Sequence, residues 1–435
     1  MNISSTFPST NRLLTWGLAL FLLAVIARVG WVVVRFGSPE RSETLTYPDE
    51  EAYWEGALSL AAERGLVDEF GFRATYMPAY PAFLSIYTGC QRPLFWARIG
   101  QALFGALAAP AAMFLAWRWC MAVSLSSGIR IIAPLAGTLV ALDPFLVFFS
   151  GLLLTEALFA VVLVGWMAFA ISMADRARRL SIRDALLSGV MAWGCIMLRP
   201  SAVFLVLLLP VVIVLRKRFD WRSFAAGGLL LAVPMLGLVP WAVRNHQTVG
   251  QWRWLTTRGG ISLYDGVRGG ATGDSDLAHT KSMTEVQGLS EVEWDAYFRA
   301  QAWKAIAEDP GRIVRLMGAK FLRTWSLTPN VAAYRGGMVA WISGIWMLAV
   351  LVLAVAGFCV VVGRKPGREG EPPSRRERVA TTFLLLLPVI VFTLLHMVFV
   401  GSVRYRVPIM PFLCVLAATG LVARGPRRRT GNLPR

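Results

Sequence analysis

The chain has 435 residues, 56% of them hydrophobic, with 17 Trp, 24 Phe and a formal net charge of +18 at pH 7. A mean hydropathy of +0.55 over this length exceeds what one soluble core accommodates and marks an integral membrane protein. The basic excess does not imply nucleic acid, because the Arg residues fall in short runs between apolar spans, where the positive-inside rule places them.

A membrane span needs about 20 mostly apolar residues. The first, near 13–34, follows a polar amino terminus without a small-residue cleavage site and reads as an uncleaved helix. Further spans are expected near 94–117, 131–150, 152–174, 185–200, 202–215, 224–243, 338–362, 380–400 and 404–424, about ten in all. The pair 185–200 and 202–215 is short and also fits one re-entrant pair. With ten spans, the basic runs ADRARRLSIRD (174–184), RKRFDWR (216–222), GRKPGREGEPPSRRER (363–378) and RGPRRR (424–429) share the side of the amino terminus, the cytoplasmic one. Two long polar segments, about 35–93 and 244–337, then face outward. The expected organisation is a transmembrane module 1–243 containing the first outer loop, an extracytoplasmic loop 244–337, and carboxy-terminal helices with a basic tail, 338–435. The compact loops and the absence of a eukaryotic-style retention signal favour a bacterial plasma membrane.

In the first outer loop, TYPDEEAYWEGA (46–57) places Asp49, Glu50 and Glu51 beside Tyr53 and Trp54. A helix starting at Pro48 puts Asp49 in its first turn, where the helix dipole favours a carboxylate, and Tyr53 one turn on. Trp54, Leu58 and Ala61 would share a face, and a second short helix is expected near Pro78. An ionised, positioned Asp can serve as a general base; the plainer reading is an acidic helix N-terminus, and these residues alone leave both open.

Asp143 and Glu156 interrupt the apolar stretch LDPFLVFFSGLLLTEALF, on either side of an outward hairpin. Ionisable groups at such depth point to function, unless they are helix-end carboxylates reaching water. Arg199, Arg244 and the run Arg404-Tyr405-Arg406 emerge near the outward face, where positive-inside bias does not explain them. Arg suits a phosphate through its bidentate fork, while headgroup anchoring by snorkelling is the plainer alternative.

The second outer loop carries two expected helices. Ser290 with Glu293 forms a capping box ahead of a stripe of Trp294, Tyr297, Phe298, Ala302 and Ile306. After Asp309-Pro310, Ile313, Leu316, Met317, Phe321 and Trp325 line one face, with Arg312, Arg315, Lys320 and Arg323 elsewhere, as expected of a helix on the bilayer surface. The glycine-rich Gly259-Gly260 and YDGVRGGATGD lack the strand–loop–helix setting of a nucleotide site and read as a flexible loop over a site. His246, His279 and His396 are scattered, and the five cysteines show no metal-ligand or disulfide spacing.

The ordered series YPDEEAYWEGALSLA, YMPAYPAFLSIY, DPFLVFFSGLLLTEALF, LRPSAVFL, VPWAVRNHQTVGQWRWLTTRGGISLYDG, AEDPGRIVRLMGAKFLRTW and RYRVPIMPFLCVLAATGL resembles the GT-C membrane glycosyltransferases. The likeness is to the branch holding protein O-mannosyltransferases and the lipid A aminoarabinose transferase. It implies an all-α polytopic bundle with extracytoplasmic amphipathic helices over the active site. It also implies a hexosyl or pentosyl donor on polyprenyl phosphate and an acceptor that is lipid, glycan or protein. Asp49 falls on the family's essential first-loop acid, with Glu50 in support; Glu156 and Arg404 fall on positions near the sugar and the lipid phosphate. Tyr53, Asp143, Arg199, Arg244, Tyr405 and Arg406 complete the expected substrate contacts. Some relatives use a divalent cation, which Asp49 and Glu50 would help to bind. Arg258 replaces a more familiar neutral polar residue, and the loop 263–289 matches nothing in the family. A transporter or lipid-linked sugar flippase is the rival reading, weakened by the lack of internal repeats and of charges in mid-span.

Overall fold

In the computed structural model the described residues are 10–424 apart from 69, 126–127, 175–180, 217–220, 278–279, 281–282, 332–333 and 365–372. Among them the regular structure is entirely helical. Helix α1 (Thr10–Phe36) leads into a long loop carrying α2 (Pro39–Ser42), α3 (Pro48–Ala61) and α4 (Ala79–Ser85). Then come α5 (Pro93–Ala106), α6 (Ala108–Ala122), α7 (Ile129–Leu142), α8 (Pro144–Phe149), α9 (Glu156–Ala174), α10 (Ile182–Leu198), α11 (Val203–Arg216) and α12 (Trp221–Val249). A second long loop holds α13 (Gly259–Val267), α14 (Glu291–Glu308) and α15 (Pro310–Thr324). The chain returns through α16 (Gly337–Gly363), α17 (Arg375–Val398), α18 (Val403–Arg406) and α19 (Met410–Arg424).

Among the described residues seven stretches are long and apolar enough to cross a membrane: α1, the joined α5–α6, α9, α12, α16, α17 and the run Val403–Val422. The expected spans at 131–150, 185–200 and 202–215 are instead short helices. Asp143 ends α7 and caps α8, with Pro144 at its first position, so the expected 131–150 span is two pieces. Arg199, extended ahead of Pro200, separates α10 from α11. The helix order is otherwise as expected, and the bundle is the all-α membrane architecture foreseen. The basic runs lie largely outside the described residues: 175–180, 217–220, 365–372 and 425–429 are not among them.

Small residues let the membrane helices approach backbone to backbone, the usual device where lipid removes the hydrophobic drive between helices. A Cβ on Gly357 of α16 would lie 2.0 Å from the Leu416 carbonyl oxygen of α19, so nothing larger fits there. Buried Arg28 of α1 donates to the Val140 and Ala141 carbonyls, both at 3.0 Å, satisfying the open end of α7 beside Asp143.

At the loop-bearing end the two long loops are stitched together. Arg98 is fully buried and donates to the carbonyls of Gly151 (3.0 Å), Ser42 (2.8 Å) and Thr44 (2.5 Å). Glu291 of α14 accepts the Arg73 and Ala74 N–H groups at 2.6 and 2.8 Å and the Thr257 hydroxyl, and the Thr257 N–H bonds the Ala74 carbonyl at 3.0 Å.

Two amphipathic expectations and one loop change in detail. In α3 the inward stripe is Glu50, Trp54 and Ala57, while Leu58 is exposed, because the helix turns Glu50 toward the bundle. In α15 the buried residues are Leu316, Lys320 and Thr324; of the expected stripe Ile313, Met317 and Trp325 are half-buried and Phe321 is exposed, as are Val314 and Leu322. Lys320, expected off the buried face, is fully buried and donates to the Val398 carbonyl at 2.7 Å at the end of α17. Residues 259–267, expected as a loop, form α13, packed on α14 so closely that a Cβ on Gly260 would meet the Asp295 carbonyl oxygen at 2.0 Å.

Candidate functional site

Pro48 starts α3, and the carboxylate of Asp49 in its first turn remains 37% exposed, whereas the neighbouring Glu50 is fully buried. Glu50 accepts N–H bonds from Thr46 (3.0 Å), Tyr47 (3.1 Å) and Leu153 (2.7 Å), fixing the start of α3 against the loop before α9. Gln101 holds the same loop, donating to the Ser150 and Leu152 carbonyls at 3.1 and 2.5 Å, and itself accepts the Tyr80 hydroxyl at 2.5 Å. These bonds set Glu156 at the first position of α9, fully buried.

Arg404 enters from the other end of the chain. Ser402 caps the single turn of α18 by accepting the Arg404 N–H at 3.3 Å, and Asn330 accepts the Val403 N–H at 2.7 Å. The Arg404 guanidinium then joins both carboxylates: Nη1 donates to Asp49 Oδ2 and Nε to Glu156 Oε1. Arg199 Nη1 also reaches Glu156 Oε1, at 3.4 Å, and Arg258 Nη2 stands 3.8 Å from Asp49 Oδ1. Three guanidinium groups therefore meet two carboxylates, leaving an excess of one positive charge. Tyr405 stacks on His396 with ring centroids 3.8 Å apart, and the Arg199 guanidinium lies 5.6 Å from the Tyr405 ring. Tyr53 sits behind, 5.1 Å from the Tyr76 ring and 5.0 Å from the Tyr80 ring.

Burial alone would raise the Asp49 carboxyl, but Arg404, Arg258 and Arg199 outweigh it and hold it below the usual carboxylate value. Glu50 shifts the other way, since burial outweighs its three backbone donors. Burial, followed by the Asp49 charge, pushes the Tyr53 hydroxyl up to about 12.

Asp49, Arg258, Arg404 and Tyr405 line a cavity of 980 Å³. One flank is apolar, formed by Trp31 of α1, Phe148 of α8 and Ile342 of α16, and the adjoining Val34, Met338 and Trp341 are exposed. The other flank is formed by the two loops, with Asp68, Phe70, Phe72, Thr75, Tyr76, residues 274–277 and Trp294.

Of the residues expected at the site, the fold gathers Asp49, Tyr53, Glu156, Arg199, Arg404 and Tyr405. Four lie elsewhere. Glu50 spends its carboxylate on backbone N–H groups. Asp143 is fully buried, capping α8 through the Phe145 and Leu146 N–H groups at 3.0 and 2.9 Å and accepting Trp346 Nε1 at 2.9 Å. Arg406 is fully buried too, donating to the Thr324 carbonyl at 3.0 Å and to that of Ser326. Arg244 staples the first loop to α12 through the Leu66 carbonyl at 3.2 Å and the Arg73 carbonyl. Arg258 and Tyr76 were not foreseen; their hydrogen bond and the placing of the guanidinium 4.9 Å from the Tyr76 ring bring them beside Asp49. The one signal for Arg258 was its charge at a place where the resembling family has a neutral residue.

A divalent ion, which the resemblance allows, finds no matching donor set. Among the described residues no three His, Cys, Asp or Glu side chains gather, and both Asp49 oxygens face guanidinium groups.

No protein-family model matches this sequence, and neither does any curated protein. Solved structures do match in fold. They include the Archaeoglobus fulgidus oligosaccharyltransferase tethered by a disulfide bond to an acceptor peptide containing the NVT sequon, at a TM-score of 0.59 and 13% identity. Its apo form matches at 0.52 and 13%, and its complex with zinc and sulfate at 0.51 and 14%. The matches cover 95%, 94% and 92% of this chain, which spans about half the length of that protein (50%, 50% and 49%). The likeness supports the GT-C-like fold class and does not single out the O-mannosyltransferase or aminoarabinose-transferase branch. What this chain shares with that oligosaccharyltransferase is its fold.

Proposed function

We propose that this protein is a membrane glycosyltransferase that moves a single hexose or pentose from a polyprenyl-phosphate carrier to an acceptor hydroxyl. The supporting observation is the Asp49–Arg404–Glu156 bridge, set with a net positive charge in a cavity that is apolar on its bundle side. The oligosaccharyltransferase likeness in fold agrees with sugar transfer, and the sequence resemblance gives the finer assignment to the O-mannosyltransferase and aminoarabinose-transferase branch. The active site faces the extracytoplasmic side of a bacterial plasma membrane, and the module 1–243, the loop 244–337 and the carboxy-terminal segment that carries Arg404 and Tyr405 together form it.

The isoprenoid chain lies along the apolar flank between α1, α8 and α16, in contact with membrane lipid. The donor phosphate takes the excess positive charge, drawing on Arg404 and Arg199. The acceptor oxygen attacks the anomeric carbon, and the bond from that carbon to the phosphate oxygen breaks. The electron pair leaves with the polyprenyl phosphate, whose growing charge the guanidinium groups stabilise. Asp49 accepts the hydroxyl proton, giving one displacement with inversion. Glu156 orients Arg404, and Glu50 positions the start of α3.

The test is transfer from labelled polyprenyl-phosphate sugars by the purified protein in lipid, compared with Asp49→Asn. The expected result is turnover in the wild type and its loss in the variant with donor binding retained. Equal turnover would remove Asp49 as the base. Binding without transfer to any acceptor would favour the flippase.

A further inference from the structure

We propose that the loop-built flank of the cavity is a binding subsite for a neutral sugar ring, which makes the acceptor of the reaction above a carbohydrate hydroxyl. The acceptor role rests on that reading of the enzyme; the sugar-binding chemistry rests on the flank itself.

Three aromatic rings form a corner there. Phe70 and Phe72 come from the first loop and Trp294 from α14, with ring centroids 5.8 Å (Phe70–Phe72), 6.4 Å (Phe70–Trp294) and 5.7 Å (Phe72–Trp294) apart. Phe72 and Trp294 meet at 65°, so the corner offers two faces rather than one flat wall. Phe70 remains 47% exposed although it lines the cavity. The corner is held from behind, because Glu291, one turn before Trp294, bonds the backbone just after Phe72. A sugar ring presents an apolar C–H face that packs on such rings and a rim of hydroxyls that needs hydrogen-bond partners.

The carboxylates of this flank are already neutralised or bonded. Asp68 accepts the N–H groups of Phe70 and Phe72, both at 2.9 Å, and the Thr75 hydroxyl at 2.8 Å. Asp274 pairs with Arg323 at 2.6 Å and Asp276 with Arg268 at 2.8 Å. A cationic acceptor would therefore find Asp274 and Asp276 already ion-paired and Asp68 already accepting three hydrogen bonds, while the remaining lone pairs suit neutral hydroxyl donors.

An extended peptide would bind through main-chain hydrogen bonds. Six amides along this flank are engaged within the chain: those of Phe70 and Phe72 by Asp68, those of Arg73 and Ala74 by Glu291, and those of Ser275 and Asp276 by Asp274 and Asp265. Side-chain chemistry for a ring is present, and these main-chain donors are taken.

The experiment is saturation-transfer NMR on the full chain in lipid nanodiscs. The probes are the methyl glycosides of glucose, galactose, mannose and arabinose, and a neutral Ser/Thr-containing peptide. The variants are Phe70→Ala, which removes a half-exposed ring, and Trp294→Leu, which keeps apolar volume against Phe298. The expected result is transfer to the ring protons of at least one glycoside, with affinity falling about threefold or more in each variant. No glycoside binding, binding that both variants leave unchanged, or variant-sensitive binding of the peptide alone would each overturn the proposal. Sensitive glycoside binding in a protein that transfers no sugar from a polyprenyl phosphate would keep the subsite and overturn the enzyme reading instead.

Discussion

Arg404 and Glu156, 248 positions apart in sequence, form an ion pair in which the carboxylate has no exposed surface. The same guanidinium reaches Asp49, 355 positions away, so one planar fork aligns the first loop, the start of α9 and the turn of α18. Lys carries one compact charge and cannot serve both carboxylates in that geometry. Arg404→Lys should lower sugar transfer by about 100-fold, the scale of losing one charge-stabilising donor. Arg404→Gln should in addition destabilise the fold by about 3 kcal/mol, because Glu156 would retain only Arg199 at 3.4 Å. Turnover and thermal unfolding measured on the same preparations check both; wild-type turnover in Arg404→Lys would remove the fork from the mechanism.

Arg258 acts on Asp49 through its charge, 3.8 Å from Oδ1. Removing that cation raises the Asp49 carboxyl toward its ordinary value, since Arg258 is among the groups holding it down. A general base works only when deprotonated, so activity falls as pH drops through its pKa. In Arg258→Gln the acid limb of kcat/KM should therefore move to higher pH. A lower rate with an unmoved acid limb would mean that Arg258 serves only the packing of Tyr76.

Much of this site was legible where one local signal suffices. Pro48 followed by acids gives the start of α3, and Ser290 with Glu293 gives the capped start of α14, because the physics of a helix N-terminus lies within four residues. The residues of the acidic triplet do not by themselves separate its roles; the family resemblance alone gave the base to Asp49 and support to Glu50. Asp49 and Glu50 look alike in sequence, and what separates them is that Glu50 accepts the local Thr46 and Tyr47 N–H groups together with that of Leu153, which only the folded chain supplies. Asp143 and Arg406 had the depth and charge of functional groups, yet one caps α8 and the other binds the carbonyls of Thr324 and Ser326 at the end of α15. The turn of Lys320 into the protein was hidden for the same reason, since its partner carbonyl belongs to α17.

The contrast between Asp49 and Glu50 can be measured. Glu50→Gln keeps the side-chain size and one acceptor oxygen, but its amide nitrogen cannot accept the N–H groups that Glu50 Oε2 takes from Thr46 and Tyr47. Leaving these part-buried donors unpaired costs about 1 kcal/mol, the low end of the range for fully buried groups. The variant should melt several degrees lower while its folded fraction turns over within a few-fold of wild type. Abolished turnover at an unchanged melting temperature would make Glu50 a chemical participant.

Lys320 gives a prediction that depends on pH alone. Burial lowers its ammonium from 10.5 to about 8, with Asp265 opposing the shift and Arg312 adding to it. The unfolded chain therefore holds this proton up to about 10.5, while the folded protein releases it near 8. Between those values the unfolded state binds more protons, so the Lys320 contribution to stability rises with pH across the window and is level below it. Lys320→Met removes the titration. The wild-type melting temperature minus that of the variant should climb from pH 8 to pH 10.5. A difference that stays constant across that range would show that Lys320 keeps an ordinary pKa, its ammonium reaching water instead of remaining enclosed between α15 and the end of α17.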